Sequence, residues 1–314
     1  MSSQLVQVVE REALPTAPLL SGSLYGLFLK QLDASQKTKE TYTRNLKQFF
    51  VWLNEQGITQ PTRDDVVDYR DALRLEKKPT TVQNYMAVVR IFFAWTENAK
   101  IYPNVARGVK GAKLDRAHKK DHLTKRQVKA IATNIERDSL TGARDYAIFA
   151  LMVSCGLRTI EVVRSNIEDL RPLGDQTVLY VQGKGREEKG QVVIIPPAVE
   201  SAIRAYLAKR GRVAETAPLF GSTSNNNKDG RLTTRSVSGI AKSLMKDAGF
   251  NSDRLTAHSL RHTAVTVALQ EGQSLDAVQA FARHTNINTT MIYNHALDAA
   301  NNKCSSLVSK CFFE

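Results

Sequence analysis

A strongly basic stretch at residues 100–126 divides this sequence into two blocks and restricts the chain to folds with more than one domain. The stretch contains nine lysines and arginines against two aspartates. Its two glycines and few large apolar side chains argue against a packed element. A chain of 314 residues also exceeds one ordinary domain and suits two. We therefore predict a linker, which is either solvated and flexible or a strap that lies along phosphates.

The block before this stretch has the periodicity of helices. Between residues 37 and 56, apolar side chains recur at the spacing of one helix face: Tyr42, Leu46, Phe49, Phe50 and Leu53. Further helices are predicted over 24–32, over 64–75 and from Pro79 onward. Residues 21–105 are therefore predicted to form a small all-helical domain, which follows a flexible tail at residues 1–20.

The block after the basic stretch mixes helices with a short β segment. An apolar run at 146–155 predicts a buried helix that ends at Gly156. Two strand-like runs, at 177–181 and 191–195, flank a glycine-rich turn of the hairpin kind, and helical patterns follow. We predict a mainly α fold with a small antiparallel β-sheet, in which residues 123–314 form a mixed α/β domain with a C-terminal tail.

The charge of the chain favours a polyanionic partner. The formal net charge is +13 and the sequence pI is about 9.7. Nucleic acid is the commonest partner of such a protein, although a merely basic soluble protein would have the same charge. No apolar run reaches the roughly 18 residues of a membrane span, and no secretion signal is visible. We expect a cytoplasmic protein without a membrane partner.

The cysteines indicate neither a disulfide framework nor a metal site. Cys155, Cys304 and Cys311 are an odd number and lack the spacing of metal ligands. We therefore expect a reduced protein with no structural disulfide, no metal and no cofactor.

One tyrosine near the end of the chain, with the basic residues before it, gives the strongest functional signal. Tyr293 is the only tyrosine after Tyr206. Its candidate partners, in chain order, are Arg158, Lys184, His258, Arg261 and His284. Guanidinium, ammonium and imidazole groups can hold a phosphodiester and move protons around it. A tyrosine can attack the phosphodiester without water or metal.

The spacing of these residues adds local detail. Thr256 is a plausible N-cap, and a separation of three puts His258 and Arg261 on one helix face, where both could donate to one phosphate. Alone this pattern fits a surface pair equally well, but four of the six histidines lie between residues 258 and 295. Arg158 follows the glycine that ends a buried helix, so we expect it at the rim of the core. Glu161 could orient it, unless the two form an ordinary surface pair.

The glycines beside Lys184 would let this residue reach DNA from the tip of the predicted hairpin. An ammonium group there can give a proton to a departing oxygen. The alternative is a solvated lysine in a turn, and Lys189 is the fallback if the register of the hairpin differs.

In this order, the residues resemble the tyrosine recombinase (phage integrase) family over most of the chain. Gly-Leu-Arg-x-x-Glu at 156–161 and His-Ser-Leu-Arg-His-Thr at 258–263 are similar to its two arginine motifs. Residues 282–295 resemble its Leu-Gly-His … Thr-Thr … Tyr-x-His signature, but Ala282-Arg283 replaces Leu-Gly. Arg283 either disturbs the close packing of that turn or adds a phosphate contact.

The resemblance implies a role for each candidate. Tyr293 would attack the scissile phosphate, form a 3′-phosphotyrosyl link and release a 5′-hydroxyl, with His258 as the base and Lys184 as the acid. The groups that would bind the non-bridging oxygens are Arg158, Arg261 and His284. Glu161 and His295 would have secondary roles.

The resemblance also implies an architecture and an assembly. Residues 21–105 would be a SAM-like core-binding domain, residues 106–122 a basic linker and residues 123–314 the catalytic domain. The linker lysines expected to contact DNA are Lys110, Lys113, Lys119 and Lys120. Four protomers, in a homotetramer or a heterotetramer with a related recombinase, would hold two double-stranded DNA sites and exchange strands through a Holliday junction.

The function expected from the resemblance is site-specific recombination, for integration, excision or resolution. The N-terminal tail is short, as in compact Xer-type or mobile-element recombinases. Two alternatives stay open: DNA relaxation like that of a type IB topoisomerase, and DNA binding without catalysis. For the C-terminal tail we expect docking onto a neighbouring protomer through Leu307, Phe312 and Phe313, with docking in cis as the alternative.

Overall fold

The computed structural model describes residues 22–113, 121–183, 185–301 and 304–313, and side chains within these ranges except those of residues 22–23, 295–306, 308 and 313. The chain divides into two compact units, residues 1–115 and 116–314. In the described part of the chain, no helix combines the length and the apolar character that a membrane span requires.

The regular secondary structure of the first unit, where the unit is described, is helical. They are α1 (Gly22–Gln31), α2 (Gln36–Glu55), α3 (Arg63–Glu76) and α4 (Pro79–Asn98). Local sequence explains their starts, because Ser35 caps α2, Thr62 forms a capping box at α3 and Pro79 opens α4. The helices predicted from the periodicity agree with these within one or two residues.

Aromatic rings fill the core of the first unit. The rings of Phe49 and Tyr69 lie 4.9 Å apart at 63°, and those of Phe28 and Phe92 lie 5.4 Å apart at 88°. These edge-to-face arrangements are the favoured geometry of aromatic pairs. Each buried ring of this size contributes about 1.5–3 kcal/mol to folding, so the helices are stabilised by this core rather than by helix propensity.

The first half of the predicted linker is packed against the first unit. Ala106 and Val109 are buried in its core. Four arginines donate to main-chain carbonyls of this segment: Arg63 to Arg107, Arg70 to Lys110, Arg74 to Gly111 and Arg90 to Val109. The prediction of an unpacked stretch from residue 106 was therefore wrong for this half, because a segment with few apolar side chains can be held by its carbonyl groups.

The second unit contains the remaining helices and the sheet. Its helices are α5 (Lys125–Asn134), α6 (Leu140–Cys155), α7 (Thr159–Arg164), α8 (Pro197–Arg210), α9 (Thr234–Asp247), α10 (Ala257–Gln270), α11 (Leu275–Ala282), α12 (Asn288–Asn301) and α13 (Cys304–Phe313). Its strands are β1 (Leu170–Leu173), β2 (Gln176–Val181) and β3 (Gln191–Ile195). The mainly α fold with a small antiparallel sheet is thus confirmed.

The sheet is antiparallel in the order β1-β2-β3, and Val178 pairs with Ile194. The strands β2 and β3 coincide with the two predicted runs. Sequence patterning missed β1 because it has only four residues, contains Pro172 and buries none of them fully.

Helix α6 lies at the centre of the second unit and packs against α8 and α10. It is apolar nearly all round, with Ala147, Ile148, Leu151 and Met152 buried, as expected of a helix enclosed on all sides. The end of this rigid helix positions the candidate site.

Candidate functional site

The turn after α6 places Arg158. Gly156 ends the helix in the left-handed conformation, at φ 61° and ψ 30°, and Arg158 becomes the N-cap residue of α7. Its Nη1 donates to Glu161 Oε1 at 2.7 Å, and its main-chain N–H donates to Oε2 at 2.8 Å. Its Nη2 donates to the carbonyl oxygen of Arg283 at 3.1 Å. With 26% of its side chain exposed, Arg158 lies at the rim of the core.

Glu161 is fully buried and is the shared anion of three arginines. Besides Arg158, it pairs with Arg283 Nη2 at 3.0 Å and with Arg261 Nη1 at 4.0 Å. Burial alone would raise the pKa of Glu161, but the charge of Arg283, the main-chain hydrogen bond from Arg158 and the charges of the other arginines outweigh it and lower the pKa. Glu161 is therefore ionised and orients the guanidinium groups around it.

Arg261 lies beneath the surface of the site. Its guanidinium donates to the carbonyl oxygens of Gly156, at 2.5 Å, and of Ala282. Burial, together with the charge of Arg158, lowers its pKa to about 9 against the opposing effect of Glu161. Arg261 is still a cation at neutral pH, and its charge acts from inside the protein.

His258 and Arg261, which the spacing predicts on one face of a helix, differ in their exposure. His258 is exposed in the first turn of α10, whereas Arg261 is buried completely. A spacing of three brings two side chains near one another, but the packing of α10 against α6, α11 and α12 decides which of them reaches the surface.

The Arg283 side chain points into the protein. It is the residue after α11, with φ 53° and ψ 45°, and only 6% of its side chain is exposed. Its Nη1 donates to the carbonyl oxygen of Phe281 at 2.7 Å, and its Nη2 donates to that of Gly156 and to Glu161, both at 3.0 Å. One alternative from the sequence was that Arg283 adds a phosphate contact. In this structure its guanidinium instead donates to buried protein acceptors.

Tyr293 lies on α12 and is 3% exposed. Its ring centroid is 6.2 Å from that of His284, with the rings nearly parallel, and 4.6 Å from that of His262, edge to face. Burial raises the pKa of the Tyr293 hydroxyl, while the charges of Arg261 and Arg158 oppose the shift. The tyrosine is thus protonated at rest, and two nearby cations favour its ionised form.

His284 follows Arg283 and is held by α12. Its Nδ1 lies 2.9 Å from the hydroxyl of Thr290, and its main-chain N–H donates to the carbonyl oxygen of Gln279. Burial, and then the charges of Arg261 and Arg158, lower its pKa to about 4. At neutral pH His284 is therefore a neutral imidazole, which can donate one hydrogen bond and accept another.

His262, which contacts the tyrosine, and His122, which stacks on His262, were not predicted as site residues. His262 is buried, with Nδ1 at 3.1 Å from the hydroxyl of Thr266, and its ring contacts Tyr293. The ring of His122 stacks on His262 at 5.3 Å and 9°. His262 directly follows Arg261 in the motif, which could have indicated it, but nothing in the sequence around His122 indicated its position.

Several predicted site residues lie outside the described part of the chain. They are Lys119, Lys120 and Lys184, with the side chains of His295 and Phe313. The fallback, Lys189, forms an ion pair with buried Asp169 at 2.6 Å, so its ammonium group is held at that carboxylate. Lys110 and Lys113 are exposed.

A cleft of about 380 Å³ opens beside His284. It lies between the hairpin that follows β2 and the turn that follows α11. Its lining is Arg186, Gln191, Asp276, Gln279, Ala280, Arg283, His284 and Thr285. Among the residues that the structure describes, no group of three or more His, Cys, Asp or Glu is arranged to hold a metal ion, and described Cys155 and Cys311 are free thiols.

Comparisons with known protein families match both units. The model of the Phage integrase family matches residues 121–300, and the model of the phage integrase N-terminal SAM-like domain matches residues 25–100.

Similar curated proteins carry recombinase names. The tyrosine recombinase XerC of Thermodesulfovibrio yellowstonii is 29% identical over 277 residues, which are 84% of this chain and 87% of that protein. The tyrosine recombinase slr0733 of Synechocystis is 27% identical over 300 residues, which are 90% of this chain and 94% of that protein.

Solved structures share the fold. The XerH site-specific recombinase bound to a palindromic difH substrate, in a post-cleavage complex, has a TM-score of 0.71 and 21% identity, covering 88% of this chain and 82% of that one. A lambda integrase dimer bound to a COC′ core site has a TM-score of 0.65 and 17% identity, covering 85% and 96%.

Proposed function

The chain belongs to the phage integrase family, and we propose that it is a site-specific tyrosine recombinase that cuts and rejoins double-stranded DNA. The observation that carries this proposal is the position of Tyr293 beside His284, within the electrostatic influence of Arg158 and Arg261. A nucleophile, a neutral imidazole and two cations in one place are the groups that phosphodiester transfer needs.

Tyr293 is the nucleophile. Its hydroxyl oxygen attacks the scissile phosphorus, the bond from phosphorus to the 5′ oxygen breaks, and a 3′-phosphotyrosyl link remains. The tyrosine proton passes to a base, for which exposed His258 is the candidate, and the 5′ oxygen receives a proton from Lys184. Because the covalent link conserves the energy of the phosphodiester, rejoining needs no nucleotide cofactor.

The arginines stabilise the charge that develops on the phosphate. Arg158, partly exposed at the rim, binds a non-bridging oxygen, and His284 donates to the phosphate from the wall of the cleft. Arg261 stabilises the same charge from below, in a buried setting where its field is weakly screened. These dipoles and charges are already positioned before DNA binds, which is the arrangement that lowers a transition-state barrier.

DNA is held by both units. The first unit acts as a core-binding domain, which its match to the SAM-like model supports, and exposed Lys110 and Lys113 contact phosphates beside it. Residues from 123 onward form the catalytic domain. The net charge of +13 supports a polyanionic partner, and we place this DNA-recombining enzyme in the cytoplasm.

The active assembly is a tetramer on two DNA sites. Helix α13 carries exposed apolar side chains, with Leu307 59% and Phe312 75% exposed. An apolar groove of about 490 Å³ lies elsewhere on the same unit, lined mainly by Val128, Val153, Ala264, Val267, Ala268 and Phe281. In this assembly α13 of one protomer docks in the groove of the next, which links the protomers around the two duplexes.

A two-site plasmid assay tests this function against its alternatives. Exchange products that need two copies of the target site, and that Tyr293→Phe abolishes, are expected. Relaxation of supercoiled plasmid without exchange would instead show a topoisomerase-like enzyme. Specific binding without any strand cleavage would show a DNA-binding protein.

A further inference from the structure

Arg283 occupies a backbone conformation that favours glycine. Its φ of 53° and ψ of 45° lie in the left-handed region, where a side chain is strained by its own backbone. Only Lys100 and Asp229 share a positive φ among the described residues other than glycine. A long, charged side chain at such a position indicates that its contacts compensate for the strain.

The contacts of the Arg283 guanidinium join two turns of the chain. One turn ends α11 and supplies the carbonyl oxygen of Phe281, which accepts from Nη1 at 2.7 Å. The other turn links α6 to α7 and supplies the carbonyl oxygen of Gly156 and the carboxylate of Glu161, which accept from Nη2 at 3.0 Å. With 6% of the side chain exposed, these hydrogen bonds are shielded from water.

The same residue also touches the candidate catalytic groups. The main-chain carbonyl of Arg283 accepts a hydrogen bond from Arg158 Nη2 at 3.1 Å. The carbonyl of Gly156, to which its side chain donates, also accepts from Arg261 Nη1. His284 is the next residue in the chain, so a shift in the turn would move its imidazole directly.

We propose that Arg283 is a positioning residue, whose guanidinium fastens the turn carrying His284 to the turn carrying Arg158 and Glu161. This inference rests on the proposed function, because it assumes that these groups act on a phosphate. A direct phosphate contact by Arg283 is disfavoured, because its Nη atoms are buried on protein acceptors.

The test separates DNA binding from cleavage. Arg283→Gly removes the guanidinium and relieves the backbone strain, and Arg283→Lys keeps one cation that can reach Glu161 without bridging three acceptors. For each variant, the dissociation constant for the target duplex and the first-order cleavage rate at saturating DNA are measured. We expect cleavage by the glycine variant to fall by about 10- to 100-fold, by analogy with groups that orient the ligands of a metal site, with nearly unchanged affinity. The lysine variant should lie between it and the wild type.

A matched control addresses backbone strain. Asp229→Gly relieves a left-handed residue of the second unit, at φ 60°, for which we propose no role in catalysis or DNA binding, and should leave the cleavage rate unchanged. A melting temperature for each variant shows that it is folded, and the lysine variant carries the test if the glycine variant does not fold.

Two results would overturn the inference. Cleavage by both Arg283 variants at the wild-type rate would show that the fastening is not needed. A loss of affinity with a normal rate at saturation would show that Arg283 contacts DNA itself. Failure of the wild type to form any covalent adduct would refute the proposed function instead, and the inference with it.

Discussion

Tyr293 and His284 are both held in their neutral forms by the same cause. Burial penalises a phenolate and an imidazolium alike, so the pKa of Tyr293 rises and that of His284 falls to about 4. The charges of Arg158 and Arg261 act on both residues: they favour the phenolate and disfavour the imidazolium. In the resting site, Arg158 and Arg261 therefore carry positive charge beside two neutral groups, and we expect a bound phosphate to balance that charge.

The low pKa of His284 predicts a stability that depends on pH. In the unfolded chain this histidine binds a proton near pH 6.5, whereas the folded protein resists protonation down to about pH 4. Its contribution is thus fully present above pH 6.5 and is lost as the pH falls toward 4. Each pH unit that separates the folded and unfolded pKa values corresponds to about 1.4 kcal/mol of stability. Urea unfolding at pH 7, 6 and 5 should show decreasing free energy of unfolding.

The matched variant for this prediction is His284→Gln, which cannot titrate. Its free energy of unfolding should change less between pH 7 and 5 than that of the wild type. Equal slopes would mean that another group causes the pH dependence. Measurements stop at pH 5 because the pKa values of Glu161 and Asp71 are also lowered. At lower pH these carboxylates bind protons, and their contribution to the stability of the folded protein is lost as well.

At the scale of residues, the sequence predicted which side chains pair better than it predicted which side chains are exposed. The spacing of Arg158 and Glu161 indicated their pairing, and the structure shows it. The burial of Arg261 was not predictable from its helix, because α10 contacts other helices on several sides and the exposed face depends on their packing. The role of Arg283 was not predictable either, since two of its three acceptors come from a turn more than a hundred residues earlier.

At the scale of elements, the turn between α6 and α7 organises the site. Gly156 adopts a left-handed conformation, and its carbonyl oxygen accepts from both Arg261 and Arg283. A Cβ atom at Gly156 would come within 3.3 Å of the Phe281 ring. The turn therefore needs glycine both for its backbone and for its close packing.

Gly156→Ala should lower both stability and cleavage. The left-handed backbone alone costs roughly 1–2 kcal/mol with a side chain, and the tight contact with Phe281 adds to it. The control is Gly57→Ala, at φ 67° with no atom near the added Cβ, which should cost the backbone strain only. Denaturant unfolding and the cleavage rate of both variants are compared. Equal cleavage by the two variants would show that the α6–α7 turn does not position the site.

Most elements could be predicted from sequence, and the exceptions have a physical reason. Helix starts were predictable because capping residues such as Thr124 and Pro79 act locally. The strand β1 was not predictable because it is short and buries none of its residues fully. The packed half of the linker was not predictable because arginine side chains from distant helices hold its main-chain carbonyls, which leaves no apolar period in the sequence.

At the scale of the whole molecule, the positive charge predicts salt-sensitive binding to DNA. If Lys110 and Lys113 each neutralise a phosphate, replacing both with glutamine should reduce the slope of log K against log salt by about 2. The control is Lys246→Gln, an exposed lysine of α9 for which we propose no DNA contact. Binding titrations at several salt concentrations measure the slope, and an unchanged slope would remove these two lysines from the interface.

The docking proposed for helix α13 predicts that loss of this helix impairs strand exchange more than the earlier steps on DNA. Deletion of residues 302–314 should leave DNA binding and reduce paired strand exchange, because docking in the neighbour's groove would be lost. Leu307 and Phe312 are exposed. The double variant Leu307→Ser, Phe312→Ser should therefore give the same result without shortening the chain. If synapsis and strand exchange stay intact in both variants, docking onto a neighbouring protomer is wrong.

The central claim, that Tyr293 attacks DNA, is tested most directly by covalent trapping. Wild type, Tyr293→Phe and the control Tyr180→Phe are incubated with a nicked suicide duplex that carries the target site, and products are separated on a denaturing gel. We predict a protein–DNA adduct with the wild type and with Tyr180→Phe, and none with Tyr293→Phe. An adduct of undiminished yield with Tyr293→Phe, or no adduct from a wild type that binds the site tightly, would contradict the account.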